Sequence, residues 1–338
     1  MIRTTISKSR NEALKRNAPC SSSVERDLLI ITNSYDVTTD LLVDRLEGEP
    51  VFRLNFDQIA SYRICINGDG FNISDPTGRF ASSKTVKKAY WRKPFNGNDK
   101  ERESWTSYAN AEMRYVLAEL VNLLWAGQRL VLVEPYAERR TGKLLQLRHA
   151  RELFTVPAYE FVLNHESCIP DAVVKSLSNE LVGDRVLYTT RASTKELEPS
   201  FPWFIEEHVA GLQDVTVVFI RGKKFAFALE RDFLGKSVDW RQFISPEQKW
   251  KPHAIPLSLD AAITKYMDTL RLDFGRLDFL LDEHHQYWFC EVNPNGQFAW
   301  LDLSGEYGVL DAITREISPA MEVSPLPNQH PLESVSGR

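Results

Sequence analysis

Arg276-Leu-Asp278-Phe-Leu-Leu-Asp-Glu-His-His-Gln-Tyr-Trp-Phe-Cys-Glu291-Val-Asn293-Pro-Asn-Gly296 decides how this chain is read. Arg276–Leu281 and Tyr287–Val292 are short, largely apolar runs suited to strands, joined by polar residues around His284 and His285. A hairpin centred between His284 and His285 sets Asp278 directly opposite Glu291, with Asn293 two residues along the same face. Two opposed carboxylates repel unless something neutralises them. An oxygen-only set of Asp, Glu and Asn suits a hard cation, Mg²⁺ above all, which binds one or two carboxylates together with phosphates. The same residues also describe an exposed acidic hairpin closed by a turn at Asn293-Pro-Asn-Gly296, and the pattern alone leaves both readings open.

Around this hairpin the chain reads as two styles of structure. Asp27–Thr32 is an apolar run suited to a buried strand. Asn33, Ser34 and Asp36 follow as turn and capping residues before an amphipathic stretch with Leu41, Leu42 and Leu46. Val51–Asn55 completes a β-α-β opening, and Phe71–Arg92 holds further strands with a turn at Asp75-Pro-Thr-Gly78. Met113, Val116, Leu117, Leu120 and Leu124 share one face of a helix predicted over Ser107–Trp125. A strand at Leu130–Val133 and a helix starting near Thr141 come next. Short β runs follow at Val173–Lys175, Val186–Thr189, Trp203–Glu206, Val215–Ile220 and Phe225–Leu229. Helices are expected at Leu259–Leu270 and Val309–Ile317. The fold class is therefore α/β at the start and α+β behind it.

Composition narrows the function. The 338 residues carry a net charge of −5, which excludes a polybasic nucleic-acid binder by bulk composition. No apolar run is long enough to cross a bilayer, so no membrane partner is expected, and the N-terminus lacks the apolar core of a secretion signal. Four cysteines (Cys20, Cys65, Cys168, Cys290) lie far apart without a C-x-x-C pair, as reduced thiols of a cytoplasmic protein would.

Three further features carry charge where chemistry could use it. Lys175 leaves an apolar strand and can reach a phosphate as a point charge, or can simply face solvent from an edge strand. Phe204–Val209 is an apolar strand running into two acids; backbone groups at its end could meet a purine edge, with a carboxylate left for ribose. Lys84–Arg102 holds seven basic residues against Asp99 and Glu101, which is either a solvated face or a receiver for an acidic peptide. Within it Pro94 is expected to hold Lys93 extended at a strand exit.

Taken in order, Lys143, Lys175, Glu206–Val209 and the Asp278/Glu291/Asn293 hairpin resemble the nucleotide site of the ATP-grasp superfamily. Lys143-Leu-Leu-Gln146-Leu-Arg-His-Ala150 through Val156-Pro157 is similar to the K-x-x-Q-L-x-x-A…V-P helix of that superfamily. Tyr90-Trp-Arg-Lys-Pro94, Asp239-Trp-Arg241 and Glu291-Val-Asn-Pro-Asn-Gly-Gln297-Phe-Ala-Trp300 resemble, more narrowly, the microviridin-type graspetide synthetases, which close macrocycles on ribosomally made precursor peptides. The resemblance covers roughly residues 28–315.

It implies an ATP-grasp fold with an N-terminal α/β pre-ATP-grasp domain at 27–135, a central subdomain at 136–211 and a C-terminal subdomain with the metal hairpin at 212–320. A basic tail at 1–26 and an irregular tail at 321–338 flank them. It further implies that Lys143 and Lys175 hold ATP phosphates, that Glu206, Glu207, His208 and Val209 line the adenine pocket, and that Asp278, Glu291 and Asn293 bind Mg²⁺. Asp239 and Arg241 would act with Lys175 near the γ-phosphate and the reacting carboxylate. Arg92 and Lys93 would meet an acidic precursor peptide bearing a leader segment. Dimers are common in that family, though no interface can be pointed to in this sequence.

The chain also departs from the family pattern. Thr216 stands where an arginine is usual, only Gly183 follows Lys175 in place of a glycine-rich loop, and no glycine precedes Val156-Pro157; Arg221 or Arg191 would then have to compensate. The alternative activity is an ATP-grasp ligase joining free amino acids or adding glutamate to a protein terminus.

Overall fold

The computed structural model describes residues 26–95, 107–178, 188–231, 238–243 and 250–321. Residues 1–25 and 322–338 of the expected tails, Lys100 and Arg102 of the basic stretch, and Gly183 lie outside the described residues.

The β-α-β opening forms a parallel sheet in the order Val51–Asn55, Leu28–Thr32, Lys88–Trp91, Leu130–Val131. All five residues of Leu28–Thr32 are buried, as a strand covered on both faces requires. Helix Val37–Arg45 begins at Asp36, whose carboxylate accepts the Thr39 amide at 2.8 Å. Helix Ser107–Ala126 buries Leu117, Leu120, Val121 and Leu124. A three-stranded antiparallel sheet, Arg63–Asn67, Gly70–Ser74 and Phe80–Ser82, is inserted before Lys88–Trp91, with the Asp75–Gly78 turn where expected. From Leu28–Thr32 the chain steps to one neighbour and later returns on the other side. The crevice at the carboxyl ends of Leu28–Thr32 and Lys88–Trp91 is therefore the topological switch point.

Two antiparallel sheets make up the rest. The first runs Thr190–Ala192, Ala172–Lys175, Trp203–Glu207, Tyr159–Val162. Tyr159–Val162 has no counterpart in the sequence reading, because this four-residue edge strand buries only Val162 and leaves Phe161 exposed, too little alternation to mark it. The run expected at Val186–Thr189 yields a strand at Thr190–Ala192, with positions 186 and 187 outside the described residues.

The second sheet runs Lys251–Pro252, Lys223–Glu230, Gly211–Ile220, Phe274–Asp282, Tyr287–Asn293. Helix Leu257–Leu270 presses Ile263, Tyr266 and Met267 into a core shared with Leu147 and Ala150 of helix Lys143–Ala150 and with Phe279 and Phe289 of the hairpin. Helix Val309–Ile317 turns back and joins the other core, beside Leu28–Ile31 and Val121. Buried Gln146 ties helix to hairpin: its amide donates to Thr141 O at 2.6 Å, its oxygen accepts the Val292 amide at 3.1 Å, and its own carbonyl accepts the Tyr266 hydroxyl at 3.0 Å.

The hairpin is not regular. Near the turn Leu281 pairs with Tyr287 and Phe279 with Phe289, a register centred on His284. Between Asp278 and Phe279 the register shifts, so that Cys290 is an extra residue and Asp278 faces Glu291, Leu277 faces Val292 and Arg276 faces Asn293. The expected carboxylate pairing is thus present, produced by a bulge and not by the turn.

Close packing behind this hairpin gives a test. A Cβ at Gly275 would lie 2.9 Å from both Met267 Cε and Val292 Cγ2. Gly275→Ala should lower unfolding stability in urea by about 1–3 kcal/mol, the usual cost of overpacking. An unchanged midpoint would mean that this seam is looser than the distances say.

Candidate active site

The two antiparallel sheets enclose a cleft of about 390 Å³ into which nearly every residue singled out in the sequence projects. Lys143 opens helix Lys143–Ala150; its ammonium donates to Ser176 O at 2.9 Å and lies 3.4 Å from Glu291 Oε2. Lys175 ends the strand Ala172–Lys175, which has neighbours on both sides, so the solvent-facing edge lysine is excluded. Its ammonium pairs with the buried carboxylate of Glu206. Burial alone would lower the Lys175 pKa, but Glu206, Cys290 and Glu291 together outweigh it and raise the value.

The hairpin supplies the opposing charge. Asp278 accepts from Thr216 Oγ1 at 2.7 Å, from Arg276 Nε at 3.2 Å and Nη2 at 2.8 Å, and from Asn293 Nδ2 at 3.3 Å. Glu291 accepts from Asn293 Nδ2 at 2.9 Å. Burial would push the Glu291 carboxyl up; the Lys143 ammonium, the Asn293 amide, Lys175 and Arg276 more than reverse this and hold it well below the usual carboxylate range. Glu291 is therefore ionised across the neutral range.

Asp239 and Arg241 enter from the short 3₁₀ turn Trp240–Phe243 and its approach. Asp239 is buried and takes the Thr189 amide at 2.9 Å, the Arg241 amide at 3.1 Å and the Arg241 guanidinium at 2.8 and 2.5 Å. A fixed carboxylate thus aims a half-exposed guanidinium into the cleft. Trp240, Trp250 and Trp300 cluster at the same wall with ring centroids 5.2–5.7 Å apart.

Glu206, Glu207, His208 and Val209 line the cleft where strand Trp203–Glu207 ends. Two of their amides are already committed, Glu207 N to Ala158 O at 2.8 Å and His208 N to Asp171 O at 2.9 Å. A ligand at this end of the cleft would therefore meet the remaining backbone groups of the segment.

Other residues of the cleft were not singled out from sequence. Arg231 donates to both Asp214 oxygens at 2.8 Å and to Val238 O at 2.9 Å; burial outweighs Arg231 and pushes the Asp214 carboxyl up to about 6. Arg276 shares the face of Asp278 two residues away, a placement that strand alternation signals. Arg231 meets Asp214 only through the register of two strands, which no local pattern reveals. Burial pushes the Cys290 thiol up to about 12, so it is no nucleophile at neutral pH.

The sequence expectations for Arg92 and Lys93 are corrected. Arg92 has 0% exposure and donates to the loop 295–297, so it presents nothing to a peptide. Lys93 is half-buried with φ +42°, not extended, and its carbonyl accepts Asn33 Nδ2 at 2.7 Å; the buried Pro94 is packed against the fold and does not straighten it. Arg221 and Arg191 do not compensate for Thr216 either. Arg221 is held by Asp273 and Glu316, and Arg191 by Asp171. The guanidinium beside Thr216 and Asp278 is that of Arg276. In the basic stretch Lys87 pairs with Asp27, and Lys88 caps carbonyls of residues 316, 318 and 321.

Asp278, Glu291 and Asn293 fit a hard cation by their chemistry. They are oxygen donors gathered on one face, with their charge met by Arg276 and Lys143. Among the described residues no group of three or more His, Cys, Asp or Glu side chains could hold a metal ion. A cation here would rest on two carboxylates, an amide oxygen and phosphates, the pattern Mg²⁺ prefers.

The Lys175–Glu206 pair yields a prediction. Lys175→Met removes the cation and leaves Glu206 buried and unpaired, so stability without nucleotide should fall by about 3–5 kcal/mol. The double variant Lys175→Met/Glu206→Gln should recover most of it while nucleotide affinity stays low. Unchanged thermal unfolding of the single variant would contradict the pairing.

No protein-family model matches the chain, and no curated protein matches it. Solved structures do. A RiPP-associated ATP-grasp ligase of Chryseobacterium gregarium, in complex with ADP and a leader and core peptide, is 20% identical, with 86% of this chain and 95% of that one covered at a TM-score of 0.73. Macrocyclase MdnC of Microcystis aeruginosa MRC, bound with precursor peptide MdnA, is 20% identical over 85% and 98% at 0.72. ATP-grasp ligase PsnB, complexed with minimal precursor, Mg and ADP, is 14% identical over 86% and 97% at 0.65. The chain has the fold of these ATP-grasp ligases.

Proposed function

We propose that the chain is an ATP-dependent ligase that activates side-chain carboxylates of an acidic precursor peptide as acyl phosphates and closes them into ester or amide rings. One observation carries this reading: Asp278, Glu291 and Asn293 face Lys143 and Lys175 in the cleft that the strand end Glu206–Val209 also lines. A carboxylate is a poor acyl donor at neutral pH because its leaving group is oxide; as an acyl phosphate it leaves phosphate instead. Lys143 and Lys175 would hold ATP phosphates, and Glu206, Glu207, His208 and Val209 the adenosine. Asp278, Glu291 and Asn293 would hold Mg²⁺, which would supply positive charge to offset that of the phosphates. Arg241, held by Asp239, would meet the substrate carboxylate, and Arg276 would offset charge on the transferring phosphoryl group. A hydroxyl or amine of the same peptide then attacks the acyl carbon and expels phosphate. Among the described residues no helix is long and apolar enough to cross a membrane, and Cys65, Cys168 and Cys290 are free thiols. That supports a cytoplasmic setting; the boundaries 27–135, 136–211 and 212–320, a leader-bearing peptide and a homodimer belong to the same proposal.

Two measurements test it. Co-expression with a short acidic Thr/Ser/Lys-rich peptide should lighten that peptide by one water per ring. An unchanged peptide mass, with ADP release driven by free amino acids, would move the activity to the amino-acid or glutamate ligase. Glu291→Gln keeps shape but removes charge; ADP release should fall on the order of 10²-fold with the fold retained. Near-normal ADP release would remove Glu291 from the cation site.

A further inference from the structure

Arg92 is a charge in the protein interior, and burying a guanidinium costs several kcal/mol unless its donors are met. It leaves strand Lys88–Trp91 at the switch point of the parallel sheet, where open α/β sheets hold their ligands. Here that crevice is filled by the chain's own loop. Arg92 Nη1 donates to Asn295 O at 3.1 Å, Asn295 Oδ1 at 3.0 Å and Gly296 O at 3.1 Å, and Nη2 donates to Gln297 Oε1. Asp36 balances the charge at 3.4 Å, and the guanidinium lies over the Phe298 ring at 5.4 Å.

The loop gripped in this way starts at the cation site. Gly296 N donates back to Asn293 O at 3.1 Å, and Gln297 O accepts Arg276 Nη1 at 3.0 Å. A Cβ on Gly296 would stand 2.8 Å from Arg276 Cβ, so the loop backbone presses directly on the residue that holds Asp278. Filling this space needs only an apolar side chain. Fixing three consecutive residues of a loop needs a planar fork of donors, which lysine cannot supply.

We propose that Arg92 is a positioning residue: through the loop 295–297 it sets Asn293 and Arg276, and thereby the Asp278/Glu291 cation site, without entering the cleft. The inference rests on the cation-site reading given above but not on the identity of the peptide. It also assigns the first sheet a task in the reaction, since the switch-point crevice holds the metal loop in register.

The test is calorimetric titration of Mg²⁺ into the intact protein saturated with ADP, alongside thermal unfolding. Arg92→Lys keeps the charge beside Asp36 but not the fork. It should raise the Mg²⁺ concentration for half-saturation about 10-fold, the scale of lost support behind a metal ligand. Gln297→Ala, which removes one acceptor, should shift it in the same direction by less and carries the test if Arg92→Lys does not fold. ADP affinity without Mg²⁺ should stay within about twofold in both variants. Phe71→Leu, a core change in the three-stranded sheet, should lower the unfolding temperature without moving the Mg²⁺ titration. Wild-type Mg²⁺ binding in Arg92→Lys and Gln297→Ala, whatever their stability, would overturn the inference. A native protein that binds no Mg²⁺ with ADP would overturn the cation-site reading and this inference together. One that binds both yet modifies no peptide would overturn the peptide reading alone.

Discussion

Two carboxylates facing each other across antiparallel strands repel by about 4 kcal/mol at 4 Å with an effective dielectric near 20. Asp278 and Glu291 are held in that relation, and much of the surrounding architecture can be understood as its counterweight. Arg276 and Thr216 take up Asp278, Lys143 and Asn293 take up Glu291, and a second pair, Lys175 with Glu206, lies close enough to add to the field. The balance is nearly complete yet made of bonds that a cation and phosphates could replace. Each of these charges therefore has a partner within the protein itself.

Holding these groups in place falls to parts of the fold that never enter the cleft. Gln146 locks the helix that begins with Lys143 onto the strand that carries Glu291, so the two charges cannot drift apart without breaking buried hydrogen bonds. Asp239 does the same for Arg241 through a turn of the chain. The apolar core under the hairpin, with Phe154 stacked on Phe289 at 5.3 Å and Tyr266 edge-on to it, gives the strands a rigid floor. Helix Val309–Ile317 buries its apolar face against the opening sheet, so the end of the described chain is packed against its beginning.

What the sequence revealed follows how local each interaction is. The Asp36 cap and the 309–317 helix depend on residues a few positions apart, and local patterning discloses them; the facing of Asp278 and Glu291 is anticipated too, but the bulge at Cys290 that produces it is not. The roles of Arg92 and Arg231 depend on partners far along the chain, at 295–297 and 214, and no local pattern carries that information. For Arg92 the reason is physical: an arginine in a basic run beside proline looks like surface, and only the loop brought from the far end of the chain supplies acceptors that let it be buried. Thr216 was read as a loss, yet its hydroxyl meets Asp278 while Arg276 brings the guanidinium from the neighbouring strand. Edge strand Tyr159–Val162 carries no local signal, because within four residues only Val162 is buried.

The bulge at Cys290 has a consequence for how such a chain can drift over generations. In a regular hairpin every inserted or lost turn residue slides all pairs beyond it, and a one-residue slip carries each side chain to the opposite face. Here the register is reset between the turn and the carboxylates, with the outer pairs held by their own neighbours, Val292 by Gln146 and Asn293 by the loop that follows. Cys290 takes up the one-residue difference between the two registers, so a deletion at position 290 would remove the bulge and still leave Asp278 opposite Glu291, whereas a deletion at the tip would break the hold of Asp282 Oδ1 on the amides of His284 and Gln286. Tolerance to the loss of a residue should therefore be wider at the bulge than at the tip of the hairpin, although both lie on the same pair of strands.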